Sequence, residues 1–316
     1  DPPFRQRFPW LGGDLQTLRD FCVQPRETVP AAASRTLRFA MPDGSGDTLL
    51  GVEDRPQAPA PDRPLAVLVH GLTGCADSFY MRRAARAFLE AGFVTLRLNL
   101  RGAGASRSIC REQYHSGRSE DLAAVLEQLD APAGVILVGW SLGANMLLKG
   151  LAEFGPEAAV RGAVAVSAPI DLAMTARRFC APRNWPYHRW LLARMRAELV
   201  AGPDGLSTED RNALARVRTV IDFDDAFTAP RNGFTGAADY YSRCSANRFL
   251  ADIAVPTLLI HALDDPWIPA AMYRAVEWGA CSAVTPILSR RGGHVGFHGE
   301  GGVWSDAAAV RFLASL

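Results

Sequence analysis

Three short stretches of this 316-residue chain carry side chains able to run acyl transfer. Gly139-Trp140-Ser141-Leu142-Gly143 sets a serine between two glycines at the end of an apolar run. His-Ala-Leu-Asp-Asp-Pro, residues 261–266, offers Asp264 and Asp265, and Arg-Arg-Gly-Gly-His, residues 290–294, offers His294. A serine hydroxyl is a weak nucleophile near neutral pH. It needs a base to take its proton, an acid to hold the base in one tautomer, and donors for the oxyanion that forms. The order Ser, Asp, His suits a serine carried on a strand-to-helix elbow.

The spacing G-x-S-x-G has a steric reason. A serine in so tight a turn leaves room only for glycine two residues before and after it. The turn also lifts the hydroxyl above the carboxyl edge of a sheet and aims the Leu142 amide, first in the new helix, at the same point. A second amide is expected from Leu72 in His-Gly-Leu-Thr-Gly (70–74), which follows an early strand. His294 is the base. Asp265 is favoured as the acid, with Asp264 and Asp171 as alternatives. His70 reads as a loop-shaping residue rather than a second base, and Cys75 as an inert small residue. His294 and His298 stand four apart, but an intervening glycine and the lack of a third ligand argue against a metal pair. The chemistry requires no metal or cofactor.

Elements able to position these residues alternate along the chain. Segments 36–41 and 48–53 flank a turn-rich hexapeptide and read as a hairpin, and 57–64 as a Pro-rich loop. Strands are expected at 65–71, 93–102, 134–140, 162–169, 256–265 and 284–293, and helices at 77–92, 119–129, 141–155, near 268–278 and at the C-terminus. Asp77 or Ser78, and Ser119, look like N-caps. Near-continuous apolar strands separated by helices predict a mostly parallel sheet covered on both faces. From 173 to about 250 the alternation stops, and the sequence is helical, Arg-rich and aromatic. The expectation is one α/β domain spanning 1–316, its core about 30–172 and 251–316, with a helical cap inserted at about 173–250.

Composition excludes some classes of function. There are 34 basic and 33 acidic side chains, so no footprint for nucleic acid is present. Six scattered cysteines without a C-x-x-C pair point to free thiols and a cytoplasmic setting, while Asp1 in place of Met leaves open what precedes it. Gly102 and Gly104 mimic part of a dinucleotide fingerprint but read as a turn. Asp222-Phe-Asp-Asp reads as an acidic turn anchoring the cap to arginines rather than as a cation site. The stretch 177–199 suits a lid helix over the site or transient contact with a membrane surface. Trp140, Met146, Tyr240 and Trp267 are candidate walls of a substrate pocket, with Phe234 and Tyr241 beside them. Whether the chain is a monomer or a homo-oligomer is not set by its sequence.

These residues resemble the YheT-like branch of the α/β-hydrolase superfamily over nearly the whole chain. The resemblance is carried by Asp-Leu-Gln-Thr-Leu (14–18), 100–106, 114–122, Gly-Trp-Ser-Leu-Gly-Ala-Asn, Gly-Gly-His-Val-Gly-Phe and, most specifically, 221–246. It implies the α/β-hydrolase fold, the triad Ser141, Asp265 and His294, and hydrolysis of carboxylic esters, lipid esters among them. His115 would border the site by the same likeness or brace its loop. The H-x-x-x-x-D acyltransferase motif of some relatives is absent. The expected activity is a serine carboxylic-ester hydrolase working through an acyl-enzyme on short- to medium-chain acyl esters. The alternatives are a lipid hydrolase (monoacylglycerol lipase or lysophospholipase), a thioesterase, and a non-catalytic ligand-binding protein on the same fold.

Overall fold

The structure, a computed structural model, describes residues 3–23, 29–60, 62–154 and 159–316. Pro61 of the Pro-rich loop and Gly155 at the end of the expected 141–155 helix lie outside the described residues. Eight strands form one sheet in the order β1 (Ala33–Ala40), β2 (Thr48–Arg55), β4 (Thr95–Leu98), β3 (Leu65–Val69), β5 (Val135–Trp140), β6 (Val160–Val166), β7 (Thr257–Ala262) and β8 (Val284–Ser289). β1 and β2 pair antiparallel, as does β2 with β4; every pairing from β4 to β8 is parallel.

Helices cover both faces, which is why β3, β5 and β7 are buried throughout, and apolar at every position but Thr257 and His261 of β7. α2 (Phe79–Glu90) turns Met81, Ala84, Ala85, Phe88 and Leu89 inward, a stripe of helical spacing, and packs with α12 (Trp304–Ala314) on one face. On the other face lie α3 (Ser119–Glu127), α4 (Leu142–Glu153) and α11 (Ala270–Arg274). Ser119 is not a cap. It is the first residue of α3, and its hydroxyl donates to Glu153 of α4.

Between β6 and β7 the described residues contain only helices: α5 (Leu172–Cys180), α6 (Trp185–Val200), α7 (Thr208–Arg216), α8 (Val220–Phe223), α9 (Ala229–Arg231) and α10 (Ala237–Cys244), with short 3-10 and π turns. They have a hydrophobic core of their own, centred on Phe179, Leu191, Met195, Phe223, Phe227 and Tyr240. The acidic turn is held differently from expectation. Asp222 closes a capping box with Thr219, Asp224 accepts from Tyr241 and Thr228, and Asp225 accepts from the Ala237 amide, so backbone and hydroxyl donors do the work assigned to arginines. Two elements went unread in the sequence: α1 (Gly13–Val23), and a small ribbon of β9 (His298–Gly299) and β10 (Gly302–Val303). Among the described residues no helix is long and apolar enough to cross a membrane.

Candidate active site

Ser141 sits at the turn from β5 into α4 with φ 51° and ψ −120°, a backbone state that L-residues rarely hold. The flanking glycines are obligatory. A Cβ at position 139 would come within 2.8 Å of the Gly143 carbonyl oxygen, and one at 143 within 2.6 Å of that of Val69. The Ser141 amide donates to the Val166 carbonyl at 2.9 Å, which ties the elbow to the neighbouring strand.

The loop after β8 delivers His294 to this serine. His294 Nε2 lies 3.0 Å from Ser141 Oγ, and Nδ1 lies 2.9 Å from Asp265 Oδ2. A carboxylate only accepts, so Nδ1 carries the hydrogen and Nε2 is left to receive the serine proton. Asp265 is buried. Burial alone would raise its pKa, but the charge and hydrogen bond of His294 outweigh it and hold the carboxyl below its ordinary range. Its other oxygen accepts the Trp267 and Ile268 amides at 2.7 and 3.0 Å. The Trp267 ring stacks on His294 with centroids 4.4 Å apart. The two alternative acids do other work: Asp264 accepts the Gly293 amide at 3.0 Å, and Asp171 caps α5 through the Met174 amide.

The loop after β3 presents one uncommitted amide. Gly71 N–H donates to Tyr80 Oη, Thr73 to Tyr114 Oη, Gly74 to the Gly71 carbonyl, Cys75 to Ser78 Oγ and Ala76 to Asn99 Oδ1. Among the described residues the Leu72 amide has no such partner. The Gly71–Leu72 peptide that carries it is fixed through its carbonyl. That oxygen accepts from Gly74 and from His70 Nδ1 at 2.7 Å, while His70 Nε2 accepts the Leu100 amide. Both His70 nitrogens are therefore occupied, and burial pushes its pKa down to about 4. The Leu142 amide, at the N-terminus of α4, is a second donor with no partner among the described residues.

A cavity of about 670 Å³ opens at Ser141 under the helical segment. Leu72, Leu142, Trp140, Tyr240 and Trp267 all line it. Met146 does not: it is fully buried in the core beneath the sheet, because it falls on the face of α4 that packs inward. His115 lines the cavity and also braces its own loop, its Nδ1 accepting the Gly117 amide. His298 is engaged elsewhere. Arg19 donates to its Nδ1, so Nε2–H faces Asp20 at 3.3 Å.

Several residues that hold the site carried no assigned role in the sequence. Thr17 Oγ1 accepts the His294 amide at 2.8 Å, and Gln16 bonds both the amide and the carbonyl of His298, so α1 clamps the histidine loop. Asn145 ties α4 to the Ser116 and Cys244 carbonyls and to the Ala246 amide. Each falls inside a motif carried by the family resemblance, and that was the available signal.

Residues 64–300 match the profile of the alpha/beta hydrolase fold family. The chain belongs to that family. It is 35% identical to YheT of Escherichia coli (strain K12), which bears a provisional esterase name, over 83% of this chain and 78% of that protein. It is 26% identical to a monoacylglycerol lipase of Saccharomyces cerevisiae, over 79% of this chain and 59% of the yeast protein. Its fold is shared with the esterase Pf2001 of Pyrococcus furiosus, with a TM-score of 0.61 at 17% identity over 99% and 97% of the two chains. The chain is thus a YheT-like α/β hydrolase of esterase or lipase type.

Proposed function

We propose that this α/β hydrolase cleaves carboxylic esters through an acyl-enzyme on Ser141, with short- to medium-chain acyl esters as substrates. The observation that carries the proposal is the unbroken path from Ser141 through His294 to Asp265, opening on an apolar cavity beside two uncommitted amides. Ser141 Oγ attacks the ester carbonyl as His294 Nε2, within reach of a general base, takes the proton. The amides of Leu72 and Leu142 hold the oxyanion. His294 returns the proton to the leaving alkoxide, then activates a water that releases the acid. Asp265 holds the imidazole tautomer and stabilises the imidazolium. A cavity of about 670 Å³ lies within the ~300–1,000 Å³ range of sites that enclose a small organic ligand.

A fluorophosphonate tests this directly. It should label Ser141, and Ser141→Ala should lose both labelling and turnover, the latter by as much as ~10⁶-fold. An unlabelled wild type together with a fully active alanine variant would remove the assignment.

A lipid-ester reading is favoured by the cavity mouth. Phe21, Phe79 and Trp190 line it in edge-to-face contact, and Phe21 and Trp190 are each 39% exposed. Contact with a lipid surface would fall on these same rings. A panel of p-nitrophenyl esters graded by acyl length, run beside a monoacylglycerol and an acyl thioester, separates the readings. A rate rising with chain length and favouring the monoacylglycerol supports the lipase.

A further inference from the structure

The loop that presents the Leu72 amide is held from two sides. On the Gly71 side every anchor belongs to the α/β core: Tyr80 on α2, His70 at the end of β3, and the Leu100 amide behind it. On the Thr73 side the anchors lead to α6 of the inserted segment. Arg194 donates from Nη2 to the Thr73 carbonyl at 3.1 Å and from Nε to Thr73 Oγ1 at 3.3 Å. The Thr73 amide donates to Tyr114 Oη at 2.7 Å, and the Tyr114 hydroxyl donates in turn to Glu198 Oε2 at 3.1 Å. Arg194 and Glu198 are one turn apart on α6, so a single helix grips residue 73 at its carbonyl, its hydroxyl and, through Tyr114, its amide.

Residue 73 needs such a grip. Thr73 has φ 56°, and a β-branched residue in the left-handed region is a strained state that persists only where its surroundings over-determine it. Released from α6, it would relax toward negative φ and displace Gly74, whose amide holds the Gly71 carbonyl of the peptide that carries the Leu72 N–H. Leu72 is the neighbouring residue, and its amide is useful to an oxyanion only in one orientation.

We propose that α6 sets the working shape of the oxyanion loop, with Arg194 and Glu198 as positioning residues for the Leu72 N–H. The inference rests on the reading of Leu72 as an oxyanion donor and extends it. Stabilisation of the transition state then depends on where the inserted helices sit.

The test uses the full chain and four variants. Arg194 is exposed, so Arg194→Ala leaves the core intact, and circular dichroism and thermal melting should match wild type. Hydrolysis of p-nitrophenyl butyrate by Arg194→Ala should lose about 10-fold in kcat with KM within threefold, a fraction of the ~10²–10³ lost when an oxyanion donor is removed outright. A trifluoromethyl ketone, which forms a hemiketal oxyanion on the serine, should bind more weakly by the same factor. Butyramide, which carries no oxyanion, should inhibit unchanged. Arg194→Lys should recover part of the loss, Tyr114→Phe should reproduce it, and Arg189→Ala on the same helix should behave as wild type. The proposal is overturned if Arg194→Ala keeps kcat within twofold. It is equally overturned if the loss falls on KM, or if the amide weakens as much as the ketone. Failure of wild type to hydrolyse the ester or to take the phosphonate at Ser141 would mark the underlying function as wrong, and the proposal would fall with it.

Discussion

Asp265→Asn isolates the part of the site that does no bond-making. In the wild type one oxygen of Asp265 accepts two backbone amides at 2.7 and 3.0 Å, and the other faces His294 Nδ1. An asparagine fits the same volume but must choose which end faces which partner. Turning its NH₂ toward the Trp267 and Ile268 amides would set donor against donor in a buried place and lose two hydrogen bonds, at about 1–3 kcal/mol each. The carbonyl therefore stays with the amides, and the NH₂ faces His294. Nδ1 must then accept, which moves the ring hydrogen to Nε2, where it points at Ser141. A base with its proton already in place cannot take another. The expected loss in kcat/KM is about 10⁴-fold, equal to ~5.5 kcal/mol of barrier, the scale known for the same swap in other serine enzymes. KM should change little and the melting temperature by a few degrees at most. The assay is the pH–rate profile of p-nitrophenyl butyrate hydrolysis for wild type, Asp265→Asn and Asp264→Asn. Asp264 accepts the Gly293 amide, a bond that an asparagine carbonyl retains, and lies 3.8 Å from the exposed Arg291, a weak pair to lose, so its variant should stay within tenfold of wild type. If Asp265→Asn does likewise, or if the two variants lose equally, the tautomer argument is wrong.

Gly143→Ala should be nearly inactive and less stable by a few kcal/mol, since its Cβ meets backbone rather than a movable side chain; paired melting and activity measurements check this. Leu191→Trp and Met195→Trp fill the cavity wall and should move preference toward shorter acyl chains in the graded ester panel, and an unchanged profile would exclude this wall from acyl recognition. Acid should unfold the protein. Burial pushes His70 and His261 down to about 4, and His115 and His298 down to about 3, so each is neutral when folded and protonates on unfolding below its ordinary value of about 6.5. Burial also pushes Glu198 up to about 7 and Asp224 up to about 6, so these two bind protons preferentially in the folded state and oppose the effect. Over these six groups the balance is about two protons taken up on unfolding, with His188 lowered and Asp264 raised by burial and so pulling in opposite directions; stability should fall by roughly 3 kcal/mol per pH unit between about pH 6 and pH 4.5. Melting temperatures that stay level over that range would contradict it.

The order of strands and helices was legible because burial on both faces leaves no ambiguity. A segment such as 134–140, apolar throughout and stopped by Ser141, can only be an inner strand, and β5 runs Val135–Trp140. The spacing of glycines around Ser141 and before His294 was legible for the same reason: each answers to a backbone clash that needs no tertiary knowledge. α1 was not legible. Its buried residues are Gln16, Thr17 and Asp20, so its inward face is polar and the hydrophobic period that marks a helix is missing. That polarity is what lets it hold the His294 loop. Met146 failed for the complementary reason. It lies one turn beyond Ser141, and nearness in sequence does not say which face of α4 it takes. Asp265 was favoured over Asp264 and Asp171 from the sequence but not singled out by it, since all three follow strands at the same sheet edge and it is their hydrogen-bond partners that differ.

Backbone strain marks the same edge by an independent route. Among the described residues five non-glycines have positive φ: Thr73, Ser141, Ser167, Val295 and Phe297. They follow β3, β5, β6 and β8, all at the carboxyl ends of the parallel strands, and none lies elsewhere in the described fold. Each such residue costs on the order of 1–3 kcal/mol, so together they oppose a sum as large as the net stability of a typical domain. They hold because each is tied to something that cannot yield. Ser141 donates to Val166, the Val295 amide donates to Ser167 Oγ, and the Phe297 amide returns to Gly292. Thr73 differs from the rest in leaning on the inserted helices, through Arg194 and, by way of Tyr114, Glu198. The Gly-x-Ser-x-Gly and Gly-Gly-His spacings mark the edge through residue types, and the positive φ values mark it through backbone geometry, two properties that are read independently. That both converge on one edge is the strongest reason to place the chemistry there, and the one strained residue held by the inserted segment is where that segment can act on it.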